Sequence, residues 1–445
     1  MKYFISLFSL LFILIFQCTA QRTAFTDITV IPMTGDELLE NYTVIVEGDR
    51  ILEVGPAQDI SVNEETTVIN GNGKFLMPGL AEMHGHVPPT DPPANAPSYF
   101  TDQYVEHTLF LYVAAGITTV RGMLGWPNQL ELKEKVNNGE MIGPNLYLAG
   151  PSFNGNSIDS PRQAREKVKT QSEEGWDLLK IHPGLTRAEY DAMAETANSL
   201  DIRFGGHVPE DVGIEHALEM GQETMDHIDG YYRWLQQYEQ PEWESRMQQI
   251  ISKTIEAEVW IVPTQALWET VIGAADFEAM QQYDELKYIP TALRKNYFGY
   301  ASRQMEEQTE SEREQALKEA EWRRKLLAEM NRRNVRILMG TDAPQLFSVP
   351  GFSIHRELPH MEAAGMSPYE ILKSGTVNVG EYFKNEDTFG TVAKGQRADL
   401  LLLNANPLND LDHLKNHAGV MVQGRWYSRE MIDAKLKEIE QTYSE

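Results

Sequence analysis

The feature that most restricts this chain is an alternation between residues 80 and 343, where eight short apolar runs are separated by polar stretches of helical period. The runs are LAEMHGH, ITTVRGM, NLYLAG, DLLKIH, RFGGHV, TMDHID, WIVPTQ and VRILMGTDA. Runs this short and apolar suit strands buried on both faces, and intervening helices make such strands parallel. Eight units of this kind predict an α/β fold, a (β/α)8 TIM-type barrel, with its chemistry at the C-terminal ends of the strands. An open doubly wound sheet is the competing arrangement. It lacks support from a Gly-rich loop, because GNGKF has neither the spacing of a phosphate loop nor its Ser or Thr. With 445 residues, 42% of them hydrophobic, the chain has enough material for a barrel and a second unit.

That second unit is expected from the two ends. FTDITVIPMTGDELLENYTVIVEGDRILEVG reads as short strands, with Gly48-Asp49 turning a hairpin between Val44-Ile45-Val46 and Arg50-Ile51-Leu52. FGTVAKGQRADLLLLNANPLNDL and AGVMVQGRWYS have the same character. Residues 21–76 and 389–445 are therefore expected to form one small β-domain together, leaving 77–388 for the barrel. A C-terminal helix from about Ser428 would carry a stripe of Met431, Ala434, Leu436 and Ile439. The charged segment ESEREQALKEAEWRRKLLAEMNRRN, between the seventh and eighth runs, reads as a helix with a solvated face. PPTDPPANAP, after the first run, is a stiff loop placed to wall the mouth of the barrel.

Residues 1–20 read as a secretory signal: Lys2, an apolar core from Phe4 to Phe16, and a small-residue site at Cys18-Thr19-Ala20. The core is too short to span a bilayer comfortably, so no transmembrane segment is expected. A secreted or periplasmic location follows, with lipid anchoring at Cys18 as the alternative. Cys18 is the only cysteine, so cleavage after Ala20 leaves no thiol and no disulfide framework. A net charge of −27 argues against nucleic acid or an anionic membrane as partner. A small-molecule or dipeptide substrate is expected instead. A homo-oligomer is compatible with the chain, although no segment defines an interface.

Polar residues stand at the ends of the proposed strands: His84 and His86 on the first, Lys180 on the fourth, His207 on the fifth, His227 on the sixth and Asp342 on the eighth. In a strand, residues i and i+2 share a face, so His84 and His86 would point together. Two neutral imidazoles on a buried face need partners, and two charged ones repel. A bound cation resolves both problems, and solvation at a strand end is the plainer alternative. Barrel geometry gathers all six residues at a single mouth.

In order and local sequence these pieces, with MSPYEILKSGTVNVGEYF and GTVAKGQRADLLLLNANPL, resemble the amidohydrolase superfamily, in particular its imidazolonepropionase-like and prolidase-like branch. The resemblance runs from about Thr23 to Tyr427. It implies a barrel with a small β-sandwich from both chain ends and a binuclear metal centre. His84, His86 and Asp342 would hold the more buried ion, His207 and His227 the more exposed one, and Lys180 would bridge them as a carboxylated lysine. A free ammonium cannot ligate, but a lysine made neutral by its surroundings can take up carbon dioxide. Pairing of Lys180 with an internal acid is the structural alternative. Zn²⁺ suits this donor set best, with Mn²⁺, Fe²⁺ or Co²⁺ also compatible.

Two such ions roughly 3.5–4 Å apart would generate a hydroxide at neutral pH that attacks a polarised carbonyl. Asp342 would take its proton and pass it to the leaving nitrogen. His182, two residues beyond Lys180, Tyr231 and Tyr232 after His227, and Arg121 on the second strand are candidate substrate contacts; Arg121 has an internal salt bridge as its alternative. The remaining histidines, His107, His216, His355, His360, His413 and His417, are expected to be structural or solvated. The expected activity is hydrolysis of an amide C–N bond in a dipeptide or cyclic amide. Lactone or organophosphate hydrolysis on the same site is an alternative, as is a non-catalytic binding protein; a deaminase, usually with one metal and no bridging lysine, fits Lys180 less well.

Overall fold

The computed structural model describes residues 21–90, 92 and 96–444. The leader-like segment, with Cys18, lies outside the described residues, as does part of PPTDPPANAP.

All eight apolar runs contribute strands to an α/β architecture. They form two parallel sheets: Leu80–Gly85, Ile117–Gly122 and Asn145–Leu148 in one, and Leu179–Ile181, Phe204–Gly206, Thr224–Asp226, Trp260–Val262 and Arg336–Ile337 in the other. Sequential order is kept in both sheets, and every pairing is parallel. The expected single eight-stranded ladder is not formed, because side-chain acceptors interrupt it at two seams. At one, Asp177 Oδ2 takes the Leu148 amide at 2.7 Å, and pairing shrinks to isolated bridges at Ala149–Leu178 and Phe153–Ile181. At the other, Glu82 Oε1 takes the amides of Thr341 and His84 at 2.7 and 3.0 Å. Backbone bonds still cross there, from Met83 N to Met339 O at 2.9 Å and from Asp342 N to His84 O at 2.7 Å.

The two chain ends do share a sheet, but strand pairing gives one eight-stranded sheet rather than two facing ones. Its order is Arg425–Ser428, His417–Val422, Leu400–Leu403, Phe75–Pro78, Arg22–Val30, Leu39–Glu47, Arg50–Pro56, with Thr67–Asn70 branching from Arg22–Val30. Gly48, at φ 61°, makes the expected hairpin turn. A separate core of Phe25, Val44, Val46, Leu76, Leu400, Leu402 and Met421 holds this sheet together.

The final helix, Arg429–Thr442, is capped by Ser428, but Ile432, Leu436 and Ile439 form its buried stripe and Met431 is exposed. The charged segment forms the helix Glu310–Arg332, with a capping box of Thr309 and Glu312. Its solvated face is as expected except at Arg323, which is buried. No helix among the described residues is long and apolar enough to cross a membrane.

Candidate active site

His84 is the penultimate residue of the strand Leu80–Gly85 and His86 follows its end, so both rings come to the C-terminal end of the first parallel strand. His86 Nε2 lies 2.5 Å from Asp342 Oδ1, and His84 Nε2 lies 3.6 Å from the same oxygen. Ligand atoms of His84, His86 and Asp342 all fall within 4.8 Å of one another. Gly340 permits this approach, since a Cβ there would lie 2.9 Å from His84 N.

Lys180 is fully buried on Leu179–Ile181, and its Nζ lies 3.0 Å from His84 Nε2. Among the described residues it makes no ion pair, contrary to the internal-acid alternative, and burial draws its ammonium down to about 8. Gly206, at φ 123°, passes close to it: a Cβ there would meet Ile181 O at 2.5 Å and Lys180 Cδ at 3.0 Å. The glycine immediately before His207 is thereby explained.

His207 follows Phe204–Gly206, with Nδ1 3.1 Å from Asp229 Oδ2. His227 shares a short hydrogen bond between Nδ1 and Thr264 Oγ1, at 2.6 Å. Its Nε2 is buried, has no hydrogen-bond partner among the described residues, and lies 3.7 Å from Asp342 Oδ2. The His227 ring sits 4.5 Å from both His84 and His207, centroid to centroid, and is stacked on Trp268. All six expected ligands therefore gather in one place.

Burial, reinforced by neighbouring positive charge, holds the His84 and His227 imidazoles well below their ordinary range. They are neutral at pH 7 and offer lone pairs. Neutral imidazoles, a carboxylate and a buried Nε2 without a hydrogen-bond partner among the described residues are donors of the kind a divalent cation takes. His227, Asp342 and Thr264 also have positive φ, at 63°, 63° and 45°. Such backbone strain, about 1–3 kcal/mol per residue, is retained where surrounding structure enforces it, typically at functional sites.

The proposed substrate contacts divide. His182 joins the cluster, its ring 5.2 Å from His207, and burial draws its imidazole down to about 2. Arg121 does not reach the mouth. It is completely buried, donates to both oxygens of Asp226 at 3.1 Å and to Met83 O at 2.6 Å, and uses its last amine on Thr224 and Tyr382. This is the internal salt bridge. The Tyr231 hydroxyl pairs with Thr254 at 2.8 Å and that of Tyr232 with Gln315 at 3.3 Å, so neither phenol belongs to the cluster.

Other participants were not singled out from the sequence. Glu82 is buried, with its carboxyl pushed up to about 8 by desolvation, and it fixes the His84 and Thr341 amides. An acid two residues before His84 on an otherwise apolar strand was its visible signal. Asp226 Oδ2 lies 2.8 Å from His84 Nδ1, outside hydrogen-bond geometry, and its signal was the Asp-His pair in TMDHID. Trp268, Arg323 and Gln345 arrive from helices or loops and left no sequence signal. Arg323 lies over Trp268 and donates to His227 O, while Gln345 Nε2 donates to Asp342 Oδ2 at 3.0 Å.

Comparison with known proteins gives the fold and the family. The 5-methylthioadenosine/S-adenosylhomocysteine deaminase of Caldanaerobacter subterraneus is 21% identical over 421 residues, 86% of each chain. Among solved structures, bottromycin amidohydrolase superposes with a TM-score of 0.74 at 19% identity, covering 95% of this chain and 90% of its own. A Xaa-Pro dipeptidase with bound methionine gives 0.68 at 19% identity, over 92% of this chain and 100% of the other. These likenesses establish the shared fold. The family model described as "Amidohydrolase family" matches residues 75–427, so the chain belongs to the amidohydrolase family and is a metal-dependent hydrolase acting on carbon–nitrogen bonds.

Proposed function

We infer that the chain hydrolyses the amide C–N bond of a small substrate, a dipeptide or cyclic amide, at a centre for two divalent ions. The observation carrying this reading is the convergence of His84, His86 and Asp342 donors within 4.8 Å, beside a buried Lys180 that makes no ion pair among the described residues. His84, His86 and Asp342 would hold one ion, His207 and His227 the other, and Lys180, carboxylated, would stand between them; Zn²⁺ matches these donors best. Bound there, the ions supply an activated water at neutral pH and polarise the carbonyl.

The chain's own residues do the rest. Asp342 takes a proton from the attacking water and delivers it to the leaving nitrogen, because an amine anion is a poor leaving group. Gln345 donates to Oδ2 of that carboxylate, while Oδ1, 2.5 Å from His86 Nε2, would face the ion together with that ring. Thr264 and Asp229 orient His227 and His207 through their Nδ1 atoms, which leaves Nε2 as the donor. His182, its ring 5.2 Å from that of His207, would touch the acyl part of the substrate.

A deaminase is the second reading, favoured by the name of the 21%-identical relative. A bridging Lys180 weighs against it. Lactone or organophosphate hydrolysis would use the same donors, and a non-catalytic scaffold would not need all six. We extend the proposal to architecture and location: the two parallel sheets act as one (β/α)8 barrel over 77–388, 21–76 with 389–445 form the accessory β-domain, and residues 1–20 direct export. Hydrolysis of a dipeptide and cyclic-amide panel before and after chelation tests the activity. Chelator-sensitive amine release is expected; turnover unaffected by chelation and by loss of metal would refute it.

A further inference from the structure

Against His86 lies a cavity of about 190 Å³ lined by Tyr99, Phe100, Tyr104, Leu124, Trp126 and Leu293. Among the described residues no Asp, Glu, Lys or Arg faces it. Phe100 stacks on Tyr104 at 6.0 Å, and Tyr99 meets both edge-on, so the wall is a packed aromatic surface. Its polar border consists of His86 and Gln345. Both adjoin the Asp342 carboxylate, His86 Nε2 at 2.5 Å from Oδ1 and Gln345 Nε2 donating to Oδ2 at 3.0 Å. The cavity therefore adjoins the group assigned to protonate the leaving nitrogen, while His207 and His227 stand on other strands.

We propose that this cavity seats the leaving half of the substrate, and that this half is an amine bearing an apolar aliphatic or aromatic group. The assignment rests on the amide-hydrolysis reading above. In that reaction the C–N bond breaks, the water oxygen joins the acyl carbon, and the nitrogen departs with the bonding pair and the proton carried by Asp342. Whatever substituent the nitrogen carries must then lie next to Asp342.

Volume separates this from deamination. Ammonia is about the size of a water, whose share of liquid volume is about 30 Å³, whereas an apolar cavity of about 150 Å³ accommodates benzene. A space of about 190 Å³ fits a branched aliphatic or a phenyl side chain. Among the described residues it offers no side-chain charge to pair with an acidic or basic side chain on that half.

The test uses the metal-loaded holoenzyme and two mirror series, Ala-X and X-Ala, with X as Gly, Asp, Leu or Phe, together with alaninamide. For Ala-X, kcat/KM is expected to favour Leu or Phe over Gly and Asp by about 10- to 100-fold, the range that apolar pockets achieve. The X-Ala series should vary less, and alaninamide should be poor. Trp126 is only partly buried, so Trp126→Ala can be made without opening the core; it should narrow the Phe-to-Gly ratio about tenfold. A preference confined to the acyl side, or alaninamide turned over as fast as Ala-Leu, overturns the proposal and leaves amide hydrolysis standing. Calorimetry with leucine supplies a reading independent of turnover. Binding that Trp126→Ala weakens supports the apolar seat even if no dipeptide is cleaved, an outcome that would instead remove the amidase. No leucine binding to the wild-type holoenzyme overturns the seat.

Discussion

Replacing Arg121 by Met removes a cation that the structure leaves no room to lose. Its guanidinium donates twice to Asp226, and once each to Met83 O, Thr224 and Tyr382, with both charged partners fully buried. Burial pushes the Asp226 carboxyl up, and the adjacent Arg121 and Lys180 more than reverse this, so the group stays ionised in the wild type. Met fills much of the volume but leaves that carboxylate without the two guanidinium hydrogen bonds it accepts. Breaking a buried pair from one side costs about 3–5 kcal/mol. At roughly 2 °C per kcal/mol for a chain larger than a small domain, the thermal midpoint should fall by about 6–10 °C. Because Asp226 lies 2.8 Å from His84 Nδ1 and immediately precedes His227, metal affinity should also drop, by about 10- to 100-fold for a disturbed outer partner. Thermal denaturation and competition with a calibrated chelator measure both effects. Arg121→Met with an unchanged midpoint, intact metal affinity and a raised KM would refute this reasoning and restore Arg121 as a substrate contact.

Arg121 also illustrates what the sequence could and could not reveal. The eight strands were legible because each is a short apolar run between helical-period segments, and the ligands because strand ends converge. Which way a strand residue points was harder. Arg121 sits one residue before the end of its strand and turns inward to Asp226 rather than toward the mouth. Tyr231 and Tyr232 lie close to His227 in sequence, yet the helix Tyr231–Leu235 carries both phenols away from it. The seams escaped notice because they depend on carboxylates, Glu82 and Asp177, capturing individual backbone amides. Arg323 was hidden by the charges around it on Glu310–Arg332, where one inward residue does not alter a solvated pattern.

Asp342→Asn should keep bound metal yet lower kcat by about 100-fold or more, with KM little changed; comparable kcat in a metal-replete variant would defeat the proton-shuttle role. Lys180→Gln should abolish any bicarbonate dependence of metal uptake during reconstitution. Bicarbonate dependence persisting in that variant would exclude carboxylation of Lys180. His417 is buried against Ala114 O, and burial draws its imidazole down to about 4. The unfolded chain then binds a proton that the folded chain refuses, so this contribution is complete above about pH 6.5 and is lost as the pH falls toward 4, at about 1.4 kcal/mol per unit. His417→Gln should flatten the acid limb of urea-denaturation midpoints, and an identical limb would contradict the assignment.

The central claim, that His84, His86, Lys180, His207, His227 and Asp342 together form a two-ion centre, is tested most directly by elemental analysis of the purified protein after Zn²⁺ loading and removal of free metal. About two ions per chain are expected, falling to about one in His207→Ala/His227→Ala. No retained metal in the wild type, or an unchanged content in that double variant, would contradict it.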